Sequence, residues 1–264
     1  LLEAIDILNF KVLEAINEKN QILSMKVSNL GGGLQDFEAD KEEPSRFSKL
    51  KTVDMQYDGR PLLINMSEFD QVNLDKIVER FVAFSSSRLN LYYSRQVIRL
   101  FFASMATSKV IILEGISGTG KTSLPYAMAK FFKNNASIVS VQPSWRDRAE
   151  LLGYLNEFTK KFNETDFLKS LYETLYRPDI NYIVLDEMNL ARIEYYFAEF
   201  LSIMEMPDLS EWKIDLVPDI WDNDPKLLIN GKLTIPQNVW FVGTANKDDS
   251  TFTITDKVYD RAMA

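Results

Sequence analysis

Gly115, Ile116, Ser117, Gly118, Thr119, Gly120, Lys121 and Thr122 follow one another as Gly-x-x-x-x-Gly-Lys-Thr, a spacing suited to holding phosphate. Glycines let the backbone wrap close to phosphate oxygens, so that N–H groups gathered at a helix N-terminus cradle them. Lys121 then neutralises the outer phosphates, Thr122 is the expected magnesium ligand, and Ser123 closes the binding stretch. By chance this pattern arises in a chain of this length on the order of once in a hundred sequences. The alternative is a glycine-rich turn with an exposed lysine; the apolar run before the motif and the helical pattern after it favour phosphate.

Tyr182, Ile183, Val184, Leu185, Asp186 and Glu187 read as a short buried strand ending in two adjacent carboxylates. Neighbouring strand side chains point to opposite faces, but where a strand ends the backbone turns and both can address one site. Asp186 would orient magnesium and its water, and Glu187 would polarise the water that attacks in line. A further apolar strand runs into Gly243, Thr244, Ala245 and Asn246, which places the Asn246 amide to bond the water or the terminal phosphate. Alone, the acidic pair is an ordinary solvated strand end and Asn246 a turn residue. The upstream phosphate loop gives both a chemical meaning.

Composition narrows the chemistry. The 264 residues contain neither cysteine nor histidine, so disulfides, thiolate nucleophiles, the commonest general base and the commonest zinc ligand are all unavailable. Carboxylates, amides, lysine and arginine must do the work. No apolar run approaches the roughly 20 residues needed to span a bilayer, which with the absent cysteines points to a cytoplasmic protein without a membrane partner. A net charge of −8 does not support DNA as a partner, although a local basic cluster would survive that average. The chain begins at Leu1 and stops at Ala264 within a helical pattern, as a fragment would.

Three regions organise the chain. Residues 1–30 carry an amphipathic or coiled-coil helix of about three heptads, with Lys19 in the seam. Residues 31–90 open with Gly31, Gly32 and Gly33 and form a charged linker, a hairpin over 51–65 around Asp58 and Gly59, and a helix over 74–84. Residues 91–264 alternate strands at 110–113, 137–141, 182–185 and 239–242 with helices near 121–133, 147–159, 165–176 and 190–205. That order predicts a mostly parallel sheet covered on both faces. Lys226 to Ile229 and Lys232 to Ile235 flank Asn230 and Gly231, a strong hairpin signal. Trp145, Arg146 and Arg148 follow the second strand and could grip a polymer, or pack beneath the next helix. Asp219, Asp224 and Lys226 are too compressed for a metal-dependent nuclease.

The three chemical segments, in this order, resemble the AAA+ family of P-loop nucleoside triphosphatases over about residues 91–264. Asp186, Glu187, Met188, Asn189, Leu190, Ala191 and Arg192, the run 243–251 (GTANKDDST) and the ending Asp260, Arg261 look like its McrB-like and dynein-related branch. The resemblance implies an α/β fold, preceded here by a mainly helical N-terminal region and lacking the fifth core strand and the helical lid. It implies a homo-oligomer, usually a hexameric ring, in which a neighbour supplies an arginine; Arg261 matches by position and Arg192 is a second candidate, each otherwise a surface ion-pairing residue. Cofactors implied are magnesium with ATP, or with GTP, since Asn246, Lys247, Asp248 and Asp249 also match a guanine-reading pattern. One functional expectation is a ring motor acting on a polymer, with a nuclease or effector subunit as partner. The other is a nucleotide-gated assembly module with little turnover. A small-molecule kinase is disfavoured, because the second carboxylate, Glu187, favours water as nucleophile.

Overall fold

The strand sequences VIILEG, NYIVLD and VWFVGTAN are apolar on both alternating faces, as strands with helices on either side must be. In the computed structural model, which describes residues 45–58, 60, 73–248 and 251–264, they form one parallel sheet. Its strands are β1 (Val110–Gly115), β2 (Ser137–Ser140), β5 (Asn181–Asp186) and β8 (Val239–Asn246), in the order β1-β8-β5-β2. The smaller strands β3 (Gly153–Asn156), β4 (Lys161–Glu164), β6 (Lys213–Asp215) and β7 (Lys232–Thr234) make two antiparallel pairs, β3 with β4 and β6 with β7. The helices are α1 (Ser48–Gln56), α2 (Leu74–Leu89), α3 (Arg95–Thr107), α4 (Ser123–Phe131), α5 (Ala149–Leu152), α6 (Asp166–Glu173), α7 (Ile193–Tyr196), α8 (Ala198–Ile203) and α9 (Asp256–Tyr259).

Strand alternation sorts the core into two layers. Ile111, Tyr182, Val184 and Val242 meet Phe81, Ile98, Leu124 and Met128 from α2, α3 and α4. The intervening residues Ile112, Ile183, Leu185 and Phe241 face α6, α7 and α8, where the Phe241 ring lies 5.3 Å from Phe200 and 5.5 Å from Phe197. Polar caps set the helix starts: the Ser94 hydroxyl accepts from Val97 N–H at 3.2 Å and the Thr165 hydroxyl from Leu168 N–H at 3.0 Å. On the outer side of β1, Met263 N–H donates to the Val110 carbonyl at 2.9 Å and Ile112 N–H to the Met263 carbonyl at 2.7 Å, a parallel bridge. No described helix is long and apolar enough to cross a membrane.

Several elements differ from the sequence expectations. Residues 51–56 are helical, not half of a hairpin. Leu50 and Val53 are buried, and the Glu164 carboxylate caps α1 by accepting from Lys49 and Leu50 N–H, each at 2.7 Å. The helix expected over 147–159 stops after Leu152 and becomes the β3–β4 hairpin. Gly153 has φ +90 and a Cβ there would lie 1.8 Å from the Asn163 carbonyl oxygen, so only glycine lets the strands close. Asn156 Oδ1 then accepts from Phe158 N–H at 3.0 Å and Thr159 N–H at 3.1 Å, local bonds that compete with a helix. The helix expected over 190–205 is split at Phe197, whose ring stacks on Phe200 at 4.9 Å.

The turn at Asn230 and Gly231 forms with φ 55 and φ 71 and closes on one antiparallel bridge, Ile229 with Lys232, but the pairing runs no further toward 226–228 and β7 makes its ladder with β6. Lys226 and Leu227 cannot extend the ladder: their N–H groups go to Asp54 Oδ2 and the Tyr172 hydroxyl, both at 3.0 Å. Residue 59, residues 61–65, and the helix or coiled coil and the glycine run expected over 1–33 lie outside the described residues.

Candidate phosphate-binding site

The chain leaves β1 at Gly115 and turns through Gly118 (φ 79) and Gly120 (φ 84). A Cβ at Gly118 would touch nothing within 4 Å, so glycine serves conformation there and not clearance. Leu124 N–H donates to the Gly120 carbonyl at 3.1 Å, which carries helical bonding back from α4 to the loop and aims its free N–H groups at the loop mouth. Lys121 Nζ reaches back over the loop, donating to the carbonyls of Gly115 at 3.1 Å and Ile116 at 2.8 Å. The Thr119 hydroxyl donates to the Ile116 carbonyl and the Ser123 hydroxyl to the Gly120 carbonyl, both at 3.0 Å. Ser117, the other loop residue, is exposed at the mouth. Beside the loop, burial pushes the Tyr93 phenol above its ordinary pKa.

The acidic residues arrive by strand parity. Asp186 shares its face of β5 with Tyr182 and Val184, and Thr244 and Asn246 share theirs of β8 with Trp240 and Val242, the side on which α4 lies. Gly115 is paired with Asn246 in the sheet register, so the loop, the carboxylates and the amide meet at one carboxyl edge, where parallel sheets bind ligands. The Thr122 hydroxyl donates to Asp186 Oδ1 at 2.6 Å, and the Thr244 hydroxyl donates to the same oxygen at 2.8 Å. Glu187 breaks the alternation. Its backbone is left-handed, φ 54 and ψ 47, at a cost of about 1–2 kcal/mol for a residue with a Cβ, and this turn brings the second carboxylate to the same side. There the Asn246 amide donates to Glu187 Oε1 at 3.4 Å. The cleft between loop and carboxylates holds about 510 Å³.

Two residues that sequence reasoning left without a role hold this arrangement. Thr244 is 2% exposed and bridges Asp186 to Glu187, whose N–H it accepts at 2.9 Å. Asn189 is 4% exposed; its amide donates to the carbonyls of Asn246 at 2.8 Å and Phe252 at 3.2 Å, and its Oδ1 accepts from Asn246 N–H at 3.3 Å. Parity could have found Thr244, two residues before Asn246 on the same face; nothing local marks Asn189. Behind the turn, a Cβ at Gly243 would lie 1.8 Å from Met188 Sδ, so glycine is needed for the two strand ends to pack.

Other expected residues lie elsewhere. Arg261 donates to Ser202 Oγ at 3.3 Å and pairs with Glu205 at 2.7 Å, beside a cavity of about 600 Å³ next to the start of β1. Arg192 is half exposed, 5.2 Å from the Phe252 ring and 3.9 Å from Glu194. Neither arginine lines the cleft. Trp145 packs edge-on against Tyr196 at 5.2 Å, and Arg148 is held by Glu199 at 2.6 Å, while Arg146 is exposed. Lys247 pairs with Glu114 at 2.7 Å and lines a separate cavity. Glu114 also accepts from the Tyr259 hydroxyl, whose pKa is pushed up to about 12, first by burial and then by that carboxylate. Asp219 and Asp224 both bind Arg46, a structural role in place of a cleavage site.

The donor set suits magnesium. Thr122 and Asp186 offer hard oxygens, and among the described residues no cluster of three or more acidic side chains could chelate a metal alone, so the remaining coordination would come from phosphate and water.

No family model matches the chain, and no curated protein does. Among solved structures the chain is similar to a Cytophaga hutchinsonii protein described provisionally as an ATPase, at 17% identity and a TM-score of 0.42, with 71% of this chain and 48% of that chain covered. The chain thus spans about half the length of that structure.

Proposed function

We propose that this chain binds a nucleoside triphosphate with magnesium and hydrolyses its terminal phosphoanhydride. The observation that carries the reading is the continuous set of bonds from Thr122 through Asp186, Thr244 and Glu187 to Asn246 at the mouth of the glycine loop. The loop N–H groups hold the phosphates, and Lys121 exchanges its carbonyl contacts for phosphate oxygens. Asp186 and Thr122 hold the magnesium ion, which supplies charge neutralisation at the phosphates when bound. Glu187 orients the attacking water and takes its proton, and Asn246 fixes the carboxylate and the terminal phosphate. Phosphate binding needs positioned charge more than covalent chemistry, which suits a site without histidine or cysteine.

ATP is the substrate we favour over GTP. Asn246 contacts Glu187, at the phosphate end, and Lys247 is engaged by Glu114, an arrangement that suits a phosphate sensor better than a guanine reader. The AAA+ likeness, in its McrB-like branch, extends this to a homo-oligomeric ring motor in which Arg261 or Arg192 acts on a neighbour's nucleotide. Arg148 is tied to Glu199, which leaves Arg146 as the basic residue of its segment free for a polymer. A nucleotide-gated assembly module shares the same site and predicts binding without polymer-stimulated turnover. Phosphate release from Mg-ATP and from Mg-GTP, measured for the full-length protein and its Glu187→Gln variant, tests the proposal. Turnover that is lost in the variant while binding persists supports it; a wild-type protein that binds neither nucleotide overturns it.

A further inference from the structure

We infer that Thr244 is a positioning residue for hydrolysis: its hydroxyl locks the left-handed turn that brings Glu187 to the same side of the sheet as Asp186. The inference rests on the hydrolytic reading above and goes beyond it in giving a role to Thr244, which that reading uses only as a link in the chain of bonds.

Thr244 is buried near the end of β8, where a valine would fill the same space. Its hydroxyl distinguishes it, because it is used twice: the oxygen accepts from Glu187 N–H at 2.9 Å, and its proton goes to Asp186 Oδ1 at 2.8 Å. Glu187 stands at φ 54, a conformation that a residue with a Cβ leaves unless something holds it. Its N–H opens the 3₁₀ turn Met188–Leu190 and has no partner within that turn, so Thr244 supplies the bond that makes the conformation persist. If the turn relaxed to extended backbone, strand alternation would send the Glu187 side chain to the opposite face, which Met188 already fills against Gly243. The second bond does related work. Together with Thr122, Thr244 occupies Asp186 Oδ1 with two hydroxyl donors, which fixes the carboxylate plane and leaves Oδ2 for the cleft. One hydroxyl therefore sets the relative orientation of both carboxylates.

Asp186 keeps the Thr122 hydroxyl when that of Thr244 is lost, whereas the Glu187 N–H has no second partner among the described residues, so the loss acts mainly through Glu187 and changes the chemical step more than nucleotide capture. For the full-length protein with Mg-ATP, Thr244→Val is expected to lower kcat about ten- to a hundredfold, the scale of a misplacement near 1 Å, while affinity for a fluorescent nucleotide stays within about twofold of wild type. Thr244→Ser, which keeps the hydroxyl, restores kcat to within about threefold. In a Glu187→Gln background, Thr244→Val changes the residual rate by less than about twofold, because the group it positions is already disabled. Should Thr244→Val fail to fold, Thr244→Cys takes its place, since a thiol keeps the size but bonds weakly. A wild-type kcat in Thr244→Val overturns the inference and leaves the hydrolytic reading standing. Equal losses in affinity and in turnover, or a full further loss in the Glu187→Gln background, overturn it as well by making Thr244 a general structural residue. A wild-type protein that turns over neither ATP nor GTP overturns both readings.

Discussion

Asp219 and Asp224 meet a guanidinium, whereas among the described residues the Asp186 and Glu187 carboxylates meet only hydroxyls and an amide. The Arg46 side chain is fully buried, pairs with Asp219 at 2.8 Å and Asp224 at 2.7 Å, and lies 4.6 Å from the Trp221 ring. Burial alone would lower its pKa, but the two aspartates hold it above the usual value. Nearby, Asp54 accepts from the hydroxyls of Tyr172 and Tyr176 at 2.5 and 2.7 Å, and burial pushes the Tyr172 phenol far above its ordinary pKa. This cluster, with Arg46 and Asp224 buried and Asp219 at its exposed rim, joins residues before and on α1 to the 218–228 segment. At the cleft, by contrast, neither carboxylate has an ion-pair partner among the described residues, and Lys121 is spent on carbonyls. Compensated acids cement; uncompensated acids beside an open cleft keep their charge available for a cation and a proton.

The contrast can be broken at several points. Glu187→Gln should cut turnover by about 10²- to 10⁴-fold with binding retained, seen as phosphate release against nucleotide titration; unaltered turnover would end the view of the cleft pair as working acids. Arg46→Met strands the buried Asp224 carboxylate and should cost about 3 kcal/mol of stability in urea unfolding, while the nucleotide affinity of the folded protein stays put. If affinity fell with stability, the Arg46 cluster would not be separate from the cleft. Asn189→Ala sits between the two kinds: it removes a donor from the carbonyls at 246 and 252, the first of which keeps the Thr251 hydroxyl, costing about 1 kcal/mol, and should slow turnover because the Asn246 backbone loses its support. A variant with normal turnover would confine Asn189 to stability.

The smallest effect concerns pH. The Arg46 hydrogen bond, then that of Trp221, holds Asp219 below the usual carboxylate range. A depressed folded-state pKa contributes stability above the unfolded value of about 3.9, and that contribution is lost as pH falls through the folded value. Stability curves of wild type and Asp219→Asn should therefore differ by a constant amount near neutrality and converge below about pH 3.9. Curves that stay parallel in acid would remove Asp219 from the compensated class.

What could be read in advance was whatever lies contiguous in the chain. Lys121, Thr122, Asp186, Glu187 and Asn246 occur in short runs whose spacing already encodes a loop or a strand end, and the four parallel strands announced themselves by apolar runs. Parity puts Thr244 on the face of Asn246, but its partners Asp186 and Glu187, like those of Asn189, lie across strand ends and need the sheet register. The Arg46 cluster joins residues far apart in sequence, and no periodicity reports that. The hairpin at 153–164 was hidden because Gly153 interrupts a helical pattern that would tolerate one glycine; the Asn163 carbonyl approaching it is invisible in sequence. The Asn230 and Gly231 turn was legible down to its Ile229–Lys232 bridge, but the ladder beyond it was cut short by Asp54 and Tyr172, which claim the N–H groups of Lys226 and Leu227.

The strand order also sets a timetable. In the sheet β8 lies between β1 and β5, with Val110 against Phe241 and Ile183 against that same residue. On the ribosome, the glycine loop and the acidic strand both emerge well before the strand that must separate and join them. Until β8 arrives, nothing in the sheet joins the loop to Asp186 and Glu187, and two apolar strands wait with open edges, the kind of long-range pairing that folds slowly and invites aggregation. The same late strand carries Thr244 and Asn246, so the pairing that joins β1 to β5 also assembles the candidate site.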